Sequence, residues 1–273
     1  QQYGLLLKGG RVIDANNDID GALDVAVRDG KIVAVAKDIP AHRAETTADV
    51  SGLIVTPGLI DLHVHAWWGA SAYSIQPDPV HVARGVTTVL DAGSSGARTF
   101  AAFRHYVIDR VRTRVFALLN ISSMGMIADF GIGELEDIRW AEVDRAVDVA
   151  RSNRDRVLGI KVRLGRLMAG ANDVEALTRA IEAAEAMEGF VMAHVGNSNS
   201  PIEELVAMLR PGDVVTHAFH GIEDRIIDGS GRVRDGLVAA QRRGVVFDVG
   251  HGMGGFSFDT AEKAVSQGFL PGN

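Results

Sequence analysis

Pro57-Gly58-Leu59-Ile60-Asp61-Leu62-His63-Val64-His65 is the stretch on which the fold turns. Alternate residues of a strand share a face. Asp61, His63 and His65 therefore point one way, while Leu62 and Val64 point the other. Two imidazoles two apart on one strand can hold a metal ion from the same side. The alternative is two surface histidines in a turn. The apolar strand and the Pro-Gly before it favour the ligand reading, at the C-terminal end of a first barrel strand, where barrel enzymes keep their active sites.

Upstream, residues 3–56 read as β structure. Asp24–Arg28 and Lys31–Val35 flank Asp29-Gly30, and Asp-Gly between two apolar runs is a hairpin signal. Residues 1–57 are thus expected to form the N-terminal part of a small β-sandwich domain. Downstream, short apolar strands near 59–65, 86–91, 113–120, 157–164, 190–195, 213–217 and 245–249 alternate with helical stretches. The helices are expected near 77–84, 98–110, 142–152, 173–188, 201–209, 233–243 and 258–267. Strands apolar on both faces, alternating with helices, imply a parallel sheet covered by helices. The fold class is α/β, with residues 58–273 forming a TIM-type (β/α)8 barrel of which seven units are visible. The eighth strand is expected beyond Leu270-Pro271-Gly272-Asn273, which makes 1–273 part of a longer protein. The connection at 121–141, with Met124, Met126, Ile127, Phe130 and Trp140 amid glycines, reads equally as a lid or contact surface and as a loop packed on its own barrel.

The formal net charge is −7, with acids and bases mixed along the chain. No basic block calls for nucleic acid or a membrane surface. No stretch approaches the roughly 20 apolar residues of a membrane helix. Gln1-Gln2-Tyr3-Gly4 does not open a signal peptide, so a cytoplasmic protein is expected. The chain has no cysteine, so any metal must be held by nitrogen and oxygen.

Three later strands carry further candidates. In Val157–Leu164, Lys161 and Arg163 share the inward face. A lysine inside a barrel is costly unless neutralised or paired. One escape is reaction of the neutral amine with carbon dioxide to give a carbamate that can bridge two metals; the other is a pairing with a carboxylate such as Asp91. Phe190–His194 and Asp213–His217 each end in histidine. Alone, each is a hydrogen-bonded structural residue more often than a ligand. Four imidazoles converging on one rim would be costly to keep together without a metal.

The order His-x-His, then Lys, His and His on the fourth, fifth and sixth strands resembles the amidohydrolase superfamily. The Gly9–Asp14 opening and the Pro57-Gly58 junction resemble its dihydroorotase-like and hydantoinase-like members. Ala83–Gly93 and Thr216–Gly221 resemble the dihydroorotase-like metal-dependent deacetylase branch, some of whose members hydrolyse acetyl esters of α-hydroxy acids. The resemblance implies two divalent metal ions, with zinc expected. His63 and His65 would hold the buried ion, His194 and His217 the exposed one, and a carbon dioxide-derived carbamate on Lys161 would bridge them. It also implies a metal-bridging hydroxide as nucleophile and a strand-8 aspartate as proton shuttle. This sequence contains no counterpart for that aspartate, Asp248 not being equivalent, so the catalytic residue stays unassigned.

Arg163 is a candidate clamp for a substrate carboxylate, with a buried ion pair as the alternative. His220 and His251 are candidate substrate contacts, and Asn120 is expected either to polarise a carbonyl or to cap its loop. Trp67 and Trp68 are placed at the pocket wall or in packing; His81 and His105 are given no role. The expected activity is hydrolysis of an ester or amide bond in a small acylated, carboxylate-bearing substrate. The alternatives are cyclic amide hydrolysis and a non-catalytic assembly homologue or inactive fragment. The only expected partners are a small-molecule substrate and further copies of the chain in a homo-oligomer.

Overall fold

In the computed structural model the described residues are 2–71, 73–127, 132–252 and 254–272. The chain separates into two compact units, Gln1–Leu59 and Ile60–Asn273.

The first unit contains β1 (Tyr3–Asp14), β2 (Ile19–Arg28), β3 (Lys31–Ala36), β4 (Ala44–Asp49) and β5 (Ile54–Val55). They form a five-stranded sheet in the order β3-β2-β1-β4, with β5 also on β1. β2 and β3 pair antiparallel across Asp29-Gly30, both at positive φ (51° and 71°), as the dipeptide predicts. The parallel pairing of β1 with β4 is not foreshadowed in the sequence. Tyr3, Leu6, Ala26, Ile39 and Ala44 form the unit's apolar cluster. One layer of the expected sandwich is therefore present among the described residues.

The second unit is built on β6 (Leu59–Val64), β7 (Val86–Gly96), β8 (Arg114–Asn120), β9 (Val157–Arg163), β10 (Phe190–His194), β11 (Val214–Thr216) and β12 (Val246–Phe247). These seven strands follow one another across the sheet in chain order, with parallel pairs from β7 through β12. That is the strand order of a TIM-type barrel. Between the strands run α1 (Pro77–His81), α2 (Phe100–Phe103), α3 (Val143–Ser152), α4 (Arg166–Ala169), α5 (Asp173–Ala186), α6 (Ile202–Met208) and α7 (Asp235–Arg243); α8 (Phe258–Ser266) follows the last strand. The stretch expected as one helix at 98–110 is α2 continued by a wider π-turn over Arg104–Ile108.

The main core lies between sheet and helices, where Phe100, Phe103, Leu119, Ile160, Leu177, Leu205 and Phe247 are buried. A separate cluster of Leu90, Ala92, Leu118 and Met192 lines the inner face. Met192 precedes His194 by two residues, so this apolar layer underlies the rim on which the histidines sit. β7 runs beyond its expected end at 91 to Gly96, with a register shift between Ala92 and Gly96. Gly93 holds φ 84°, and Ser94 Oγ and N both bond Asp91 and tie the segment into the strand end.

The long connection is packed on its own barrel over its described residues, 121–127 and 132–141. Met126, Glu134 and Leu135 are buried, Ser122 bridges to Ala141, and Leu135 N donates to Met168 O at 2.8 Å. Phe130 lies outside the described residues. Among the described residues no helix is long and apolar enough to cross a membrane.

Candidate metal centre

His63, His65, Lys161, Arg163, His194, His217 and His251 line one cavity of about 550 Å³. That lies within the roughly 300–1,000 Å³ of small-molecule sites. The ring centroids of His63 and His217 are 4.6 Å apart, those of His194 and His217 4.8 Å, and those of His63 and His65 5.7 Å. The strand ends that the sequence singled out are thus brought together.

What surrounds the rings fixes their tautomers. Thr216 Oγ1 lies 2.7 Å from His63 Nδ1 and 2.5 Å from Asp248 Oδ2. Ser94 Oγ lies 3.0 Å from His65 Nδ1 and 2.7 Å from Asp91 Oδ2. A hydroxyl has one proton. In both cases a carboxylate takes it, so each imidazole donates from Nδ1 to the hydroxyl oxygen. His217 Nδ1 faces Gly250 O at 2.5 Å, and a carbonyl only accepts. All three rings therefore keep a lone pair on Nε2. His63 Nε2 is buried and has no protein partner. Thr216, Asp91 and Ser94 are fully buried, and Asp248 nearly so.

Electrostatics points the same way. Burial, reinforced by Lys161, holds His63 and His217 below the ordinary imidazole pKa, His217 down to about 3. Burial and the neighbouring imidazoles hold His65 and His194 well below it. Neutral imidazole is the form that binds metal. His217 also has φ 58°, a left-handed conformation that is unfavourable for a side chain of this size.

Lys161 is 1% exposed and its Nζ has no hydrogen-bond partner. Burial, aided by Arg163, lowers its pKa to about 7. The pairing with Asp91 is not formed, since Asp91 accepts from Ala66 N and from Ser94 instead. Burial raises Asp91 to about 6. The lysine stem passes over Gly93, where a Cβ would stand 2.5 Å from both Lys161 Cβ and Cγ.

These residues fit metal binding by their chemistry: neutral imidazoles, three of them with tautomers already set, and an unpaired buried amine among them. Among the described residues no three His, Asp or Glu side chains are arranged to hold one metal ion.

The substrate candidates divide. Arg163 reaches the cavity wall, but Nε and Nη2 are held by Glu134 at 2.5 and 2.7 Å. The buried ion pair is therefore formed, with the carboxylate supplied by the long connection. His251 is exposed, lines the cavity and packs on Phe256 at 5.1 Å. His220 is buried beside a smaller cleft with His194 and His217, its pKa lowered to about 4 by burial. Asn120 is not at the cavity: its Nδ2 donates to Gly93 O and its Oδ1 accepts from Ser122 N, so it caps the loop. Trp67 packs on Phe103, and Trp68 is exposed.

His81, read as having no role, lines the cavity with Asp61, its Nε2 3.2 Å from Asp61 Oδ2. Its place on a short helix hid it, although the inward-facing Asp61 was the available signal. Tyr73, Met126 and Met168 also line the cavity and carry no motif.

A deacetylase of Agrobacterium fabrum is 36% identical over 243 residues, 89% of this chain and 60% of that relative. The chain thus spans about three fifths of that relative's length. Two solved structures, one of an adenine deaminase and one of a dihydroorotase, each have a TM-score of 0.89 at 34% identity. They cover 98% and 99% of this chain, which covers 71% of each. The model of the amidohydrolase family matches residues 54–227, from the end of the first unit past the last of the four histidines. The chain belongs to the amidohydrolase family.

Proposed function

We propose that the protein is a binuclear metal-dependent hydrolase that cleaves the ester or amide bond of a small acylated substrate bearing a carboxylate. The observation that carries this reading is the fixed tautomer of three rim histidines around the unpaired amine of Lys161. His63 and His65 would hold one ion, His194 and His217 the other, and Lys161 both. Two divalent ions, with zinc favoured by imidazole donors, supply Lewis acidity and acidify water.

The chain's own residues do the rest. Lys161, whose pKa of about 7 leaves roughly half of its amine neutral at pH 7, would form an N–C bond with carbon dioxide and release one proton, becoming an anion that suits two cations. Ser94 and Thr216 keep the Nε2 lone pairs of His65 and His63 turned away from their hydroxyls. Arg163, braced by Glu134, offers positive charge at the cavity wall for a substrate carboxylate. The deacetylase relative favours an acyl substrate, and the dihydroorotase neighbour supports cyclic amide hydrolysis as a second reading.

The test has two parts. Metal per chain is measured by plasma mass spectrometry on protein expressed with bicarbonate, and intact mass is read for one added carbon dioxide. Acetylated carboxylates and a cyclic imide are then assayed side by side. About two metals and turnover of the acetylated substrates are expected. A folded, metal-free protein never exposed to chelator would overturn the proposal.

A further inference from the structure

Beside the main cavity lies a cleft of about 190 Å³ that shares His194 and His217 with it. Among the described residues its remaining walls are Val195, Ile222, Gly254, Gly255 and His220. His220 is 1% exposed, and neither of its ring nitrogens has a protein partner. An unpaired buried donor or acceptor costs about 1–3 kcal/mol. The cost is offset when a ligand completes the bond. The Nε2 edge is kept open by Gly196: a Cβ there would stand 3.1 Å from His220 Nε2 and 2.9 Å from Ile222 Cδ1. At φ 123°, residue 196 also holds a conformation that side chains rarely adopt.

The cleft is too small for a whole substrate, since small-molecule sites start at roughly 300 Å³. It suits a side group: an apolar cavity of about 150 Å³ takes a benzene ring. Its walls combine two aliphatic side chains, Val195 and Ile222, with three imidazoles, of which His194 and His217 are the proposed metal ligands and His220 is left to bond a short acyl group's carbonyl oxygen. An acyl group here would lie against His194 and His217, the two side chains that the cleft shares with the main cavity.

We propose that this cleft is the acyl subsite: it takes short acyl groups, with His220 donating a hydrogen bond to the acyl oxygen and Val195 and Ile222 packing on the alkyl end. The proposal rests on the acyl-hydrolase reading above and adds which part of the substrate goes where. The limit is set by Ile222, a wall of the cleft that is 45% exposed.

The experiment uses the metal-loaded protein and a series of acyl carboxylates with one leaving group and straight acyl chains of increasing length. Wild type, Ile222→Ala, His220→Leu and His220→Asn are compared. One methylene in an apolar pocket is worth roughly tenfold or more in kcat/KM. Wild type is expected to favour the shortest chains. Ile222→Ala should raise the ratio of longer-chain to acetyl kcat/KM by about tenfold. His220→Leu should lower kcat/KM for every chain length alike, with partial recovery in His220→Asn, which keeps a donor. Calorimetric binding of acetate and butyrate gives the same comparison without turnover, and Ile222→Ala should shift preference toward butyrate. An unaltered chain-length profile in a folded Ile222→Ala protein, in turnover or in carboxylate binding, overturns the subsite. Hydrolysis of a cyclic imide with no acyl carboxylate turned over by wild type would instead sink the acyl-hydrolase reading, and the binding series then still decides the cleft.

Discussion

His63 Nδ1 lies 3.3 Å from Asp248 Oδ2, with the Thr216 hydroxyl between them at 2.7 and 2.5 Å. The contact is a relay of neutral imidazole, hydroxyl and carboxylate, because burial holds His63 uncharged in spite of Asp248. Thr216→Val keeps the shape and removes the relay. Partners of this kind are worth about 10–100-fold in metal affinity. A loss of that size is expected for Thr216→Val and for Ser94→Ala, read by chelator competition. Unchanged affinity in both would show that the hydroxyls do not orient the rings.

Lys161 gives a pH signature in metal-free protein. Its folded pKa is about 7 against an ordinary 10.5, so between those values the unfolded chain binds more protons. Stability should therefore rise with pH from about 7 towards 10.5 and gain nothing from this group below 7. The histidines with lowered pKa titrate below this window. Urea midpoints at several alkaline pH values check the slope, and Lys161→Met should flatten it. The same substitution should abolish turnover and reduce the metal content below two per chain.

Arg163 and Glu134 form a buried pair, with side chains 12% and 2% exposed. Removing one partner of such a pair costs about 3–5 kcal/mol. Glu134→Ala should lose stability on that scale in chemical denaturation, and the double variant with Arg163→Met should recover part of it. Arg163→Met alone should raise KM for carboxylate-bearing substrates by roughly tenfold or more, a charge-assisted bond being worth about 1.5–3 kcal/mol. Intact turnover of acidic substrates in that variant would remove the carboxylate clamp.

Asn120→Ala separates capping from catalysis. It breaks bonds to Gly93 O and from Ser122 N, so a loss of about 1–3 kcal/mol is expected. Metal content and KM should stay as in wild type. A KM change without a stability change would return Asn120 to the substrate.

The strands and the four rim histidines were legible because period-two alternation is a local property: His63 and His65 alternate on one strand, and His194 and His217 each close an apolar run. Arg163 was legible as a charged inward residue, but its partner was not. Glu134 lies in a loop without periodicity, 29 positions away, and only tertiary packing brings it in. Thr216, Ser94 and Asp91 are ordinary strand and turn residues until folding sets them beside a ring. His81 was passed over because a histidine on a short helix carries no sign of which way it faces. Asp91 misled for the opposite reason: its charge made it a natural mate for Lys161, and backbone donors took it first.

Gly93 and Lys161 stand on strands separated by β8, yet neither position has freedom of its own. Any side chain at 93 would meet the lysine stem, and any residue at 161 must run through the space that the glycine leaves. A lineage that keeps the amine must inherit both positions together. One that loses the amine still keeps the glycine, because any Cβ at 161 fills the same space and residue 93 holds φ 84°.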